Sequence, residues 1–180
     1  MKHLFSLILA VCLTVPFTAP AQKKAVERSG DVLVFVTPLA SLTTTLILKD
    51  YQGLKQAAFS GATALAATYA LKYIVKKERP DKSDKLSFPS SHTMVTFTGA
   101  AFIQRRYGWK YGIPAYLLSS YVAWSRVYAD KHDWWDVLGG AAIGIGSSYI
   151  FTRPFARKHN LVINPVIMDK KLGLYASMTF

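Results

Sequence analysis

The sequence predicts an all-α fold, a membrane-embedded bundle of about five to six helices followed by a short C-terminal β-hairpin. Three observations predict it. Five apolar segments alternate with short polar stretches, at roughly 32–48, 57–75, 93–104, 113–124 and 137–151. Within them Ala, Gly, Ser and Thr are dense, as in "AAFSGATALAATYALKYIV" and "VLGGAAIGIGSSYIF", a composition that lets helices approach closely. The final arm alternates Leu172, Leu174, Ala176, Met178 and Phe180, which is a strand period.

The first 21 residues read as a cleaved secretory signal. Lys2 precedes an apolar run from Leu4 to Phe17, and Ala19-Pro20-Ala21 has small residues suited to a cleavage site. A retained membrane anchor is the alternative. The only cysteine, Cys12, falls inside this stretch, so the mature chain would carry neither disulfide nor thiol chemistry. A polar lead, "QKKAVERSGD", then opens a single helical domain over 22–160, and the tail occupies 161–180.

The apolar segments are about 12 to 19 residues long, and a span wants about 20. Length leaves the two readings close, and integral membrane is favoured over a soluble periplasmic helical bundle. Trp109, Trp124, Trp134 and Trp135 stand near segment ends, as interfacial anchors or as packing residues. In the tail, "LVINPVIM" and "LGLYASMTF" flank "DKK", a hairpin pattern. Two strands cannot close a barrel, so the hairpin reads as a lid packed on the helices.

Hydrophobic residues make up 51% of the 180, charged residues 18%, and the net charge is +12. That balance favours anionic partners. The cations are scattered among apolar segments and form no stripe, which argues against nucleic acid. Phosphate-bearing lipid remains.

Chemistry concentrates in two polar stretches. In "SRVYADKHDWWD", His132 and Asp136 would sit one helical turn apart. A carboxylate there fixes the imidazole tautomer and frees the other nitrogen to react. Asp130 and Asp133 are the other candidate orienters, with poorer spacing. Arg126 offers a planar fork suited to phosphate oxygens. Upstream, "KYIVKKERP" sets Lys72 and Arg79 seven apart before Pro80, and "FPSSHTMVTF" places Ser90, Ser91 and His92 at a helix start. Serines there cap the helix, and the same geometry leaves free amides for an anion. Each feature alone has a dull explanation: flanking charges, a cap, a packed histidine, an ordinary helical pair.

Jointly, Lys-x6-Arg-Pro, Pro-Ser-Ser-His and Ser-Arg-x5-His-x3-Asp resemble the signature of the type 2 phosphatidic acid phosphatase and vanadium haloperoxidase superfamily. The match runs from Lys72 to Asp136, 65 of 180 residues. Ser91 stands where that family usually has glycine. The resemblance implies a phosphatase working without metal or other cofactor. In it, His132 would attack phosphorus and become a phosphohistidine, with Asp136 orienting it. His92 would protonate the leaving oxygen and then activate water. Lys72, Arg79, Ser90, Ser91 and Arg126 would bind the phosphate oxygens. The expected substrate is a lipid phosphate or diphosphate, lipid A or undecaprenyl diphosphate first, met at the periplasmic side of a bacterial inner membrane. A soluble periplasmic acid phosphatase is the alternative reading, and a vanadate-dependent haloperoxidase a remote one.

Overall fold

The computed structural model describes residues 21–155 in full, 19–20 as helical backbone, and 160–168 and 171–179 as backbone strands. Most of the expected signal, with Lys2, Leu4–Phe17 and Cys12, lies outside the described residues. Among the described residues six helices form: α1 (Ala19–Leu33), α2 (Val36–Ile47), α3 (Tyr51–Val75), α4 (Ser91–Tyr107), α5 (Trp109–Tyr128) and α6 (Trp134–Phe151). Two strands follow, β1 (Asn160–Met168) and β2 (Lys171–Thr179), paired antiparallel from Asn160 opposite Thr179 to Met168 opposite Lys171. The hairpin read from the tail is therefore present. Its expected packing as a lid rests on side chains outside the described residues.

Local chemistry sets the helix boundaries. Only Val34 and Phe35 separate α1 from α2, and the cause is Pro38. A proline has no amide hydrogen and crowds the carbonyl four residues back, here that of Val34. In the same break the Phe35 amide bonds Val32 O at 3.4 Å. Together the two helices give a 27-residue run, Ala21–Ile47, long and apolar enough to cross a bilayer. Asp50 caps α3 by accepting from the Gly53 amide at 2.9 Å, and at 25 residues α3 is about 37 Å long. Lys76 ends it in the left-handed conformation, φ 49°.

Two of the polar stretches that flank the apolar segments are helical. The lead "QKKAVERSGD" lies in α1, and "QRRYGWKYG" is broken only at Gly108, whose φ of 95° suits glycine alone. In the second case a buried ion pair overrides the polar pattern. Arg106 meets Asp50 at 2.7 Å through Nε and 2.5 Å through Nη2, so its charge stays in the helix instead of ending it.

Helix α4 is the centre of the bundle, packed against α2, α3, α5 and α6, while α1 lies along α5. Its contact with α6 is close because α6 presents glycine. A Cβ on Gly140 would stand 2.5 Å from Ser90 O, and one on Gly144 2.6 Å from Met94 O. The interior is unusually rich in small polar residues, including Thr37, Ser41, Ser60, Thr68, Thr96, Ser119 and Ser148. Large apolar side chains face outward instead: Ile47, Leu65, Ile74, Leu117, Leu138 and Ile150 are all exposed.

This topology gathers the three motifs at one end. The end of α3, the loop 76–90, the start of α4, the end of α5 and the start of α6 meet there, joined by α1. Asp50, Arg106 and Gly108 lie at the opposite end.

Candidate active site

His132 stands in the turn between α5 and α6, not inside a helix as the one-turn spacing suggested. Its amide donates to Arg126 O at 3.3 Å. The expected pair forms all the same, because Asp136 is the third residue of α6 and its carboxylate points back across the cap. Nδ1 of His132 lies 3.4 Å from Asp136 Oδ2, with both side chains almost fully buried. Asp133, the rival orienter, is the helix cap: it accepts from the Asp136 amide at 3.0 Å, and Asp136 accepts from the Asp133 amide at 3.1 Å. Asp130 is paired with Lys23.

The other face of the imidazole meets Arg79, whose Nη1 is 3.5 Å from Nε2. A guanidinium can only donate, so Nε2 must bear a lone pair and Nδ1 the hydrogen that faces Asp136. Burial, and then the Arg79 charge, push the His132 pKa down from 6.5 to about 4, against the upward pull of Asp136. At neutral pH this ring is an uncharged base with Nε2 free. That is the state a nucleophile needs.

Two residues outside the fixed positions of the three motifs complete the pair. The Ser87 hydroxyl donates to Asp136 Oδ2 and lies 3.4 Å from His132 Nδ1. Lys77 donates to Asp136 Oδ1 at 2.8 Å and also binds Asp133. Nothing local marked Lys77 against its neighbour Lys76, and Ser87 was one serine among several before the helix.

Ser90 caps α4 as expected, at 3.5 Å from the Thr93 amide. Its side chain is wholly buried, so what this turn can offer an anion is the first amides of α4, those of Ser91 and His92, together with the helix dipole. The Ser90 amide is tied to Asp136 O at 2.9 Å, which fixes the mouth of α4 to the start of α6. Lys72 is buried and donates to Leu86 O. Arg79 is steadied by Asp84 at 2.8 Å.

Arg126 is less free than its motif suggests. Nη1 donates to Asp31 at 2.6 Å, Nη2 to Glu27 O, and Nε to Ser125 Oγ at 3.2 Å. Of its five N–H groups, two are left without a protein acceptor among the described residues. Asp31 also lies 3.1 Å from His92 Nε2. The helix α1 thus reaches into the motif cluster, a contribution hidden in what read as a polar lead.

A phosphohistidine hydrolase needs this inventory: a neutral buried histidine with an oriented ring, a second histidine, clustered cations and a helix mouth. Over residues 81–159 the chain matches the model of the PAP2 superfamily, which takes in His92, Arg126, His132 and Asp136 but begins after Lys72 and Arg79. The chain is also 31% identical to the lipid A 4'-phosphatase of Helicobacter pylori J99, over 95% of its own length and 93% of that protein's. This chain belongs to the PAP2 superfamily. A second PAP2 relative, a lipid A 1-phosphatase of Helicobacter pylori, is 27% identical over 67% of each chain. The crystal structure of Aquifex aeolicus LpxE shares the fold, with a TM-score of 0.59 at 21% identity over 69% of this chain and 83% of that one. With these PAP2 relatives, the chain is a phosphatase.

Proposed function

We propose that this PAP2 protein removes a phosphate from lipid A, the 4'-phosphate first, at the periplasmic surface of a bacterial inner membrane. The observation that carries the substrate is the likeness to a lipid A 4'-phosphatase across nearly the whole of both chains. The inverted polarity of the bundle supports the membrane setting. Serine and threonine are buried while isoleucine and leucine are exposed, the reverse of a water-soluble core and suited to lipid contact. In the membrane the helices alternate, so all three motifs lie on one side; Lys and Arg stand on both sides, and loop charge does not choose the orientation.

The chemistry runs in two steps. Nε2 of His132 donates its lone pair to phosphorus as the bond to the leaving oxygen breaks, and His92 gives that oxygen a proton. Water then attacks the phosphohistidine, giving its proton to His92 as the P–N bond breaks and the electron pair returns to Nε2. Lys72, Arg79, the remaining donors of Arg126 and the first amides of α4 hold the phosphoryl oxygens. Ser91 contributes its amide there, and Ser90 the cap that keeps α4 in place. Such a reaction depends chiefly on positioning and charge stabilisation.

The deciding experiment incubates purified protein with bis-phosphorylated lipid A and identifies the phosphate lost by tandem mass spectrometry. Loss of the 4'-phosphate, persisting in excess chelator and suppressed by vanadate, is the expected outcome. Release from undecaprenyl diphosphate with lipid A untouched would move the assignment to the carrier lipid. Preference for soluble esters would overturn the lipid reading altogether.

A further inference from the structure

We infer that Asp31 of α1 is a positioning residue for the proton-transfer step, holding His92 by Nε2 so that Nδ1 is the nitrogen that serves the substrate. The inference rests on the reading of His92 as acid and base given above. One oxygen of Asp31, Oδ1, lies 3.1 Å from His92 Nε2 and 2.6 Å from Arg126 Nη1. A carboxylate accepts and does not donate, so Nε2 carries a hydrogen and any transferable second proton sits on Nδ1.

The two histidines are thus held by opposite nitrogens. His132 is gripped at Nδ1 and reacts through Nε2; His92 is gripped at Nε2 and acts through Nδ1. In the first step the Nδ1 proton passes to the leaving oxygen as the P–O bond breaks. In the second, Nδ1 regains a proton from the attacking water. Asp31 neither gains nor loses one over the cycle.

The position of Asp31 is built into the packing. Lys23 reaches Asp130, Glu27 O accepts from Arg126, and Glu27 also faces Lys131 at 3.5 Å, so successive turns of α1 grip the segment around the third motif. Gly30 permits the approach, since a Cβ there would lie 2.2 Å from Ser125 Oγ and 2.3 Å from Arg126 Nη2. These contacts set α1 against Arg126 and deliver Asp31 to His92.

The test compares Asp31→Ala, Asp31→Asn, Asp31→Glu, His92→Ala and the Asp31→Ala/His92→Ala double variant in the full-length purified protein. Each is assayed on a lipid phosphate, whose alkoxide leaves poorly, and on p-nitrophenyl phosphate, whose phenolate leaves without help. Asp31→Ala should lower the first rate roughly 10- to 100-fold, part of the 10²–10⁴ typical of one acid–base group, and the second by no more than about threefold. In the His92→Ala background it should cost no more than about twofold, since coupled residues are not additive. Asp31→Glu should recover part of the loss. Equal losses on both substrates, or a full loss in the His92→Ala background, would overturn the inference and reduce Asp31 to a partner of Arg126. If Asp31→Ala does not fold, Asp31→Asn keeps the size and removes the charge, and should show the same dependence on leaving group. His92→Ala losing both activities equally would instead overturn the acid–base assignment of His92 itself.

Discussion

Lys77 holds Asp136 from behind: its ammonium is 2.8 Å from Oδ1, the oxygen turned away from His132. Asp136 is completely buried and Lys77 only partly so. The lysine therefore satisfies a carboxylate that would otherwise carry an uncompensated charge in the interior. Its other contact, to Asp133, locks the cap of α6 to the loop after α3.

Lys77→Met should consequently loosen Asp136 without removing any group that would touch phosphate. The expected cost is about 1 kcal/mol in stability, discounted for the exposure of the lysine, and roughly a tenfold loss in kcat. KM should change little. Steady-state kinetics decide it: a loss confined to KM would show that Lys77 grips substrate directly.

Ionisation of His132 gives a second prediction. Its pKa of about 4 in the folded chain lies below the 6.5 of a free imidazole. Between those values the unfolded chain binds protons that the native chain does not, so this residue makes stability fall as pH drops through that window. Above 6.5 its contribution is fully present. Selective ¹³C labelling of the imidazoles should give one ring with a midpoint near 4. Replacing Arg79 by glutamine should raise that midpoint, because the Arg79 charge depresses it. A wild-type midpoint at or above 6.5 would contradict the buried, neutral nucleophile.

The three motifs and the Ser90 cap were legible because they are local: their spacing alone brings the groups to helix ends. Five of the six helices among the described residues were legible from the apolar segments, whereas α1 read as a polar lead. What was hidden is what packing decides. Lys76 and Lys77 are adjacent lysines in the sequence, yet the left-handed turn at Lys76 ends the helix and only Lys77 meets the two carboxylates. Asp31 sits in a polar run with no chemical signature, and its role emerges only where α1 lies along α5. Arg106 falls in a polar stretch between two apolar segments, where nothing local marks it as buried. The partner that buries it, Asp50, lies 56 positions away.

That clamp furnishes a third prediction. Arg106 joins the start of α3, through Asp50, to the end of α4, and also donates to Arg153 O at 2.8 Å after α6. Both ions are almost fully buried. Arg106→Ala leaves Asp50 unpaired, and breaking such a pair costs about 3–5 kcal/mol. Thermal unfolding should show a large drop in midpoint, while kcat measured well below it stays near wild type, because the phosphate-handling end is distant. Activity lost without loss of stability would mean the two ends of the bundle are coupled.

The last prediction uses two glycines on one helix. At Gly140 a Cβ would stand 2.5 Å from Ser90 O, whereas at Gly146 nothing lies within 4 Å. Alanine gains roughly 0.8–1 kcal/mol over glycine in a helix interior, so Gly146→Ala should be neutral to stabilising in the bundle. Gly140→Ala meets backbone, which cannot swing aside as a side chain can. It must push the mouth of α4 away from α6, straining the bond from the Ser90 amide to Asp136 O and shifting the amides of Ser91 and His92. Two effects should appear together: lower stability, by about 1–3 kcal/mol as for overpacked cores, and weaker inhibition by vanadate, which reports the anion site directly. The Gly146→Ala variant, made and assayed in parallel, controls for helix propensity. Unchanged vanadate affinity in a folded Gly140→Ala protein would show that the mouth of α4 is not where the phosphoryl group is held.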